Sequence, residues 1–326
     1  MRDFELVAPG SLLEACQLLK GSGGHAMAKA GGIDVLDLMK EGIAAPRSIV
    51  NLAGLCGLDR IEDDEGGLSI GALATLATIG DHAAVKEHAP ILAAAAGDGA
   101  TPQIRNMATI GGNLCQRPRC WYFRSSDFTC LKKGGPACLA IAGDNRHHAI
   151  FGQAPCPIVC PSTAATALVA LGATLSVTGS DGERTLPVED LYVMDDPRRE
   201  ISLLPDELIA AVRVPRPAPG TRSAFLRFRE KDTFDWPQAE VAVAIAPHAS
   251  GPIVDARVVL GAAAPIRGAR AAEIKLVGKD TRITHEVARA AADAAVADAR
   301  PLTGNGYKVE LFRELVARAL LEASAS

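Results

Sequence analysis

The stretch TPQIRNMATIGGNLCQ, Thr101 to Gln116, decides how the rest of the chain is read, because Thr109 and Asn113 flank the pair Gly111-Gly112. A hydroxyl, an amide and backbone N–H groups without side-chain cover can there meet phosphate or flavin oxygens. An earlier glycine pair stands in AKAGGIDVL, Ala28 to Leu36. Small residues from His25 to Ala30 predict a short buried strand, Gly31-Gly32 breaks it, and Asp34 is placed to cap a helix running through Leu38 and Met39. Glycines let backbone approach a pyrophosphate, and a helix start turns unpaired N–H groups towards it. Either loop alone is a common tight turn; the two together point to a nucleotide-type cofactor.

Other glycine motifs do not compete. GSGGHA, Gly21 to Ala26, follows a helix and precedes a strand, the reverse of a dinucleotide fingerprint, and no P-loop occurs. Outward from the two loops the chain has α/β rhythm. Ser11 and Glu14 form a capping box for a first helix, with Cys16 on its core face. LSIGA at Leu68 predicts a strand, Ile91 to Ala96 a helix, and Ser162 a helix cap before the strand ATLSVT. Pro215, Pro217 and Pro219 mark a domain junction. Beyond it, VAVAIA and ARVVLGAA predict a hairpin around Ser250-Gly251-Pro252, and two amphipathic helices close the chain.

At 326 residues the chain suits two or three packed subdomains. A formal charge of -4 without any long Lys/Arg run argues against nucleic-acid binding. MRDFELVAPGSLLEA has acids and a proline where a signal peptide needs a basic start and an apolar core, and no 18-residue apolar run follows. The expectation is therefore a cytoplasmic protein with no membrane span, or a periplasmic one exported folded with a signal-bearing partner. No serine, cysteine or carboxylate constellation for bond-breaking chemistry is grouped in the sequence.

Six of the eight cysteines, Cys115, Cys120, Cys130, Cys138, Cys156 and Cys160, fall in one segment. Reduced thiols are expected in a chain that is neither small nor visibly secreted, so the clustering points to metal. Arg117, Arg119, Arg124, Lys132 and Lys133 would favour thiolates and offset cluster charge, and Trp121, Tyr122, Phe123 and Phe128 would exclude water. The residues alone leave iron-sulfur and structural zinc both open. Paired C-x2-C or C-x4-C knuckles, usual for zinc modules, are only approached here.

The two loops resemble those of the flavin-binding subunit of the molybdenum hydroxylases, the xanthine dehydrogenase and carbon monoxide dehydrogenase group, which read close to aGGTDLL and RNxATIGGN. The likeness spans nearly the whole chain. It implies an α+β protein: a two-part FAD-binding domain of the PCMH (vanillyl-alcohol-oxidase-like) type over 1–219, and a C-terminal α/β domain like that of the carbon monoxide dehydrogenase flavoprotein over 220–326. It implies FAD contacts from Lys29, Ala30, Gly31, Gly32, Ile33, Asp34, Val35 and Leu36 on the first loop, and from Thr101, Thr109, Gly111, Gly112 and Asn113 on the second. Ile33 departs from the usual threonine and removes one hydroxyl. FLRFREKDTFDWP, Phe225 to Pro237, matches a family strand whose basic residues reach towards the FAD, with Lys231 the residue chosen.

CWYFR at Cys120, CLKKGG at Cys130, then Cys138, NRHHAIFG and Cys156 look like an insertion, 115–160, similar to that of the flavin subunit of bacterial molybdenum aldehyde oxidoreductases. A related insertion in the 4-hydroxybenzoyl-CoA reductase flavin subunit holds a 4Fe-4S cluster. The resemblance implies the same cofactor here on Cys120, Cys130, Cys138 and Cys156, with His147 or Cys160 competing for the fourth position. It implies partners too: a large subunit with molybdenum cofactor and a small one with 2Fe-2S clusters. Electrons would pass through FAD to an external acceptor such as ferredoxin, a quinone-linked carrier, NAD or oxygen. Two alternatives remain, a flavin subunit of an aromatic acyl-CoA reductase and a noncatalytic assembly subunit with structural zinc.

Overall fold

Three sheets carry the described residues. The structure, a computed structural model, describes residues 1–152, 155–194, 196–231, 234–248 and 251–325. The first sheet is parallel, with β1 (Glu5–Val7), β2 (Ala26–Lys29) and β3 (Ser48–Asn51) in the order β1-β3-β2. Its crossover helix Leu12–Gly21 is capped by Ser11, whose Oγ accepts from the Glu14 N–H at 3.1 Å. The Glu14 carboxylate reaches back to the N–H of Gly10 at 2.7 Å, one residue before the expected one. Cys16 is fully buried, as its helical position predicts.

The next helix, Ile33–Lys40, differs from expectation at its start. Gly32 occupies the cap position with φ of 86°, a left-handed conformation that glycine adopts without strain. Asp34 therefore lies inside the first turn and its carboxylate is free to bond elsewhere.

The second sheet is antiparallel and five-stranded: β4 (Ile61–Asp64), β5 (Gly67–Gly71), β6 (Thr174–Gly179), β7 (Gly182–Pro187) and β8 (Leu208–Pro215), in the order β4-β5-β8-β6-β7. Helices Pro90–Asp98 and Thr163–Ala170 pack on it, and Leu92 and Leu168 join Leu68, Ile70 and Val212 in one core. Every residue of Thr163–Ala170 is buried, which fits a helix with no polar stripe.

The third sheet comprises β9 (Arg222–Phe228), β10 (Ala239–Pro247), β11 (Ile253–Gly261) and β12 (Arg267–Gly268), in the order β12-β11-β10-β9. All its ladders are antiparallel, so this C-terminal unit is layered as α+β rather than as the expected α/β. Val241, Val243 and Ile245 of β10 face helices Arg270–Leu276, His285–Val296 and Tyr307–Ala325, while Ala242 faces the core of the second sheet. The period-two alternation of VAVAIA thus gives large residues to one layer and small ones to the junction. Ser250, in the predicted turn, lies outside the described residues. Among those described, no helix is long and apolar enough to cross a membrane.

The insertion is mostly irregular, with one helical turn at Trp121–Arg124 and a 3-10 turn at Leu131–Lys133. Its buried carbonyls are satisfied from the C-terminal unit. Asn305 Nδ2 donates to the carbonyls of His148 and Ala149 at 3.0 and 3.1 Å, and Lys308 Nζ to those of His148 and Ala262 at 3.2 and 2.5 Å.

Candidate flavin cleft and thiol cavity

The two glycine loops touch. A Cβ on Gly31 would lie 1.9 Å from the carbonyl oxygen of Met107, so this glycine is required by the approach of the second loop. That second loop is stitched to the strand-like segment before helix Leu76–Asp81: Leu76 N–H donates to Ala108 O, and Ile110 N–H to Ala74 O, both at 2.9 Å. Gly111 packs on Ala72, where a Cβ would meet atoms at 3.0 and 3.1 Å. The turn-rich reading of this loop gives way to two short helical turns. Thr101 caps Pro102–Arg105, and Thr109 caps Ile110–Leu114 by accepting from the Gly112 N–H at 3.2 Å.

Between the loops, the Thr163–Ala170 helix start and β9 lies a cleft of about 440 Å³. Lys29, Ala30, Gly31, Gly32, Ile33, Asp34 and Val35 line it from the first loop, and Thr101, Thr109, Gly112 and Asn113 from the second. Leu36, Gly111 and Lys231 do not. Lys231 is exposed beyond the end of β9, and the cation that β9 itself sends to the cleft wall is Arg227, whose side chain is nearly buried and paired with Asp98. Asp235 and Trp236 join it there. The cleft fits a flavin nucleotide: helix Ile33–Lys40 presents its N-terminal backbone to it, Gly32 keeps its mouth clear of side chain, and the walls are largely apolar.

Asp34 is the joint between the cleft and the cysteines. Its carboxylate accepts from the Arg117 N–H at 2.9 Å and pairs with Arg119 at 2.8 Å and Arg124 at 2.7 Å. A second joint is Glu200, on the cleft wall, which pairs with Arg117 at 3.0 Å and with the buried Lys132 at 2.8 Å. The expected role of these cations in offsetting cluster charge is thereby changed: four of them are committed to carboxylates, and Lys133 donates to the Ser125 carbonyl. Lys132 alone of the five lines the thiol cavity.

That cavity is small and is ringed by Cys120, Cys130, Cys138 and Cys156, with Tyr122, Phe123 and His148 among its other walls. Among the described residues no group of three or more His, Cys, Asp or Glu side chains is placed to hold a single metal ion. Burial pushes the Cys120 thiol up, while the Cys156 thiol, hydrogen-bonding to Cys138, draws Cys138 down to about 6 and is itself raised. His148 Nε2 lies 3.3 Å from Cys120 Sγ. Burial lowers its pKa to about 4, so the ring is neutral, and a proton on Nε2 would donate to the sulfur.

Neither rival for the fourth position lines the cavity. His147 meets the Trp121 ring edge-on with centroids 5.8 Å apart, and Cys160 is buried beside Tyr192 and Ser162. Of the aromatics, Phe123 is buried and Tyr122 half-buried, but Trp121 and Phe128 are 49% and 41% exposed and do not seal the cysteines. Sequence reasoning missed Arg227, Glu200, Trp236 and His148. All but Glu200 stood in stretches already singled out.

A family model described as the FAD binding domain in molybdopterin dehydrogenase matches residues 2–217, and the chain belongs to that family. It is the FAD-binding subunit of a molybdenum hydroxylase-type oxidoreductase. The aldehyde oxidoreductase FAD-binding subunit PaoB of Escherichia coli K12 is 36% identical over 302 residues, covering 91% of each chain. The carbon monoxide dehydrogenase medium chain of Hydrogenophaga pseudoflava is 29% identical over 328 residues, covering 99% of this chain and 97% of the relative. A structure of carbon monoxide dehydrogenase from that organism, lacking the Mo-pyranopterin moiety of its cofactor, superposes with a TM-score of 0.79 at 28% identity, over 99% of this chain and 98% of the other.

Proposed function

We propose that this chain is the electron-transfer subunit of an aldehyde-oxidising molybdenum enzyme, holding FAD in the cleft and a 4Fe-4S cluster on Cys120, Cys130, Cys138 and Cys156. The observation that carries the reading is that these four thiols, spread over 37 positions of sequence, ring one cavity whose wall continues through Arg119 and Asp34 into the flavin cleft. Likeness to the Escherichia coli aldehyde oxidoreductase subunit supports the substrate class. The reading includes a large molybdenum-cofactor subunit and a small 2Fe-2S subunit as partners. It also places the first 219 residues in a two-part fold of the vanillyl-alcohol-oxidase type and takes the insertion as 115–160.

When bound, FAD accepts single electrons and gives up one or two. The chain's own residues bind and orient. The N-terminal turn of Ile33–Lys40 presents backbone N–H groups to the diphosphate, Thr101 and Thr109 hold their loops by capping, the Gly112 N–H being bonded to Thr109, and Asn113 is fixed by the Ser162 hydroxyl at 2.6 Å. Asp34, Arg119 and Arg124 set the position of Cys120 relative to that loop. Structural zinc on the same four thiols is the rival reading, and the metal content separates the two. Purified protein with a flavin spectrum, a dithionite-bleached shoulder and four irons per chain supports the reading. Zinc without iron refutes the cluster, and a colourless protein refutes both.

A further inference from the structure

A third cavity, of about 260 Å³, opens beside the first two. It shares Trp236 and Asp235 with the flavin cleft, and Cys120 and His148 with the thiol cavity. We propose that it binds a planar, uncharged quinone of one or two rings as the electron acceptor of this subunit. The proposal rests on the flavin reading above and deepens it by naming the acceptor and its place.

Three observations point to that class. The chain has two tryptophans, and both line this cavity, each half exposed, with His147 set edge-on to Trp121. Half-covered indoles are suited to stacking a flat aromatic ring. Next, the charge is wrong for an anion. Arg119 is bound to Asp34 at 2.8 Å and lies over the Trp236 ring at 4.9 Å, while Glu230 adds negative charge to the wall. A dinucleotide would bring its diphosphate against that carboxylate. Finally, the volume falls below the usual small-molecule range of about 300–1,000 Å³, which suits one or two rings and not a dinucleotide. Gln238 and His147 supply polar groups to meet the quinone oxygens.

In the transfer the quinone takes two electrons and two protons from the reduced flavin and leaves as hydroquinone, while the flavin returns to its oxidised form. No other bond changes.

The test uses the location of the tryptophans. Menadione is titrated into the purified, flavin-loaded full chain and into the assembled enzyme, and tryptophan fluorescence lifetime is recorded. Saturable quenching is expected in both, undisturbed by NAD. Val159→Phe, which fills the cavity from a wall not shared with the cleft, should raise the midpoint at least tenfold; flavin absorbance checks its folding. Trp121→Leu, with Trp236 left as reporter, should raise it several-fold. Quenching that rises linearly and equally in wild type and Val159→Phe overturns the proposal, as does displacement by NAD. Saturation seen only in protein stripped of flavin also overturns it, since the quinone then occupies the cleft. A chain that never retains flavin is a different result and sinks the flavin reading itself.

Discussion

The carboxylate of Asp34 lies 2.7 Å from the guanidinium of Arg124 and ties the first glycine loop to the helical turn that begins after Cys120. The same carboxylate holds Arg119 and the backbone of Arg117, and its side chain is only 18% exposed. An amide in its place keeps the shape and loses the charge, leaving two crowded guanidiniums with only the more exposed Asp37 as counter-ion, 3.0 Å from Arg124 and 3.6 Å from Arg119. Breaking a largely buried pair in this way costs about 2–4 kcal/mol. Asp34→Asn should therefore melt several degrees lower by calorimetry and lose iron before it loses flavin.

Gly31 is the contact point of the two loops. In Gly31→Ala the new methyl carbon would overlap the Met107 carbonyl, and the loops must part by more than an ångström. Flavin content per chain, read by absorbance, is expected to fall at least tenfold. Gly21→Ala, where a Cβ meets nothing within 4 Å, should retain it. Equal flavin in both variants would show that loop contact does not shape the cleft.

Among the thiols, Cys130→Ser and Cys138→Ser should remove iron and the visible shoulder while flavin remains. The exposed Cys56→Ser should change neither. Cys160→Ser tests the ligand choice: Cys160 does not line the thiol cavity, so iron should stay at the wild-type level.

Lys308 is buried, and desolvation lowers its pKa to about 7 from an ordinary 10.5. Between those values the unfolded chain binds more protons than the folded one, so this group makes stability rise with pH, by up to about 1.4 kcal/mol per unit. The buried thiols Cys115 and Cys160, each pushed up to about 12 by desolvation, act oppositely above pH 9. Denaturant unfolding should show stability rising from pH 7 to a maximum near pH 9. Lys308→Met should flatten the rise.

Local signals in the sequence carried much of the fold. Ser11 and Ser162 cap the helices they were expected to cap, LSIGA and ATLSVT are strands, and the alternation of VAVAIA sets the face of β10. These depend on neighbours a few residues away, which a sequence displays. What could not be read depends on partners far along the chain. Asp34 looks like a cap until Arg119 and Arg124 claim it, and Arg227 looks no different from Lys231 until the sheet turns it into the cleft. His148 and His147 are adjacent and alike, yet the turn they share and its packing send one to a thiol and the other to a tryptophan.

The bonds from Asn305 and Lys308 to the His148 carbonyl set an order on biosynthesis. A ribosome emits residue 148 long before residue 308, so the cysteine-bearing segment emerges with no C-terminal helix to settle against. It can settle only after helix Tyr307–Ala325 has left the ribosome, and under the proposed reading the loading of iron follows that event.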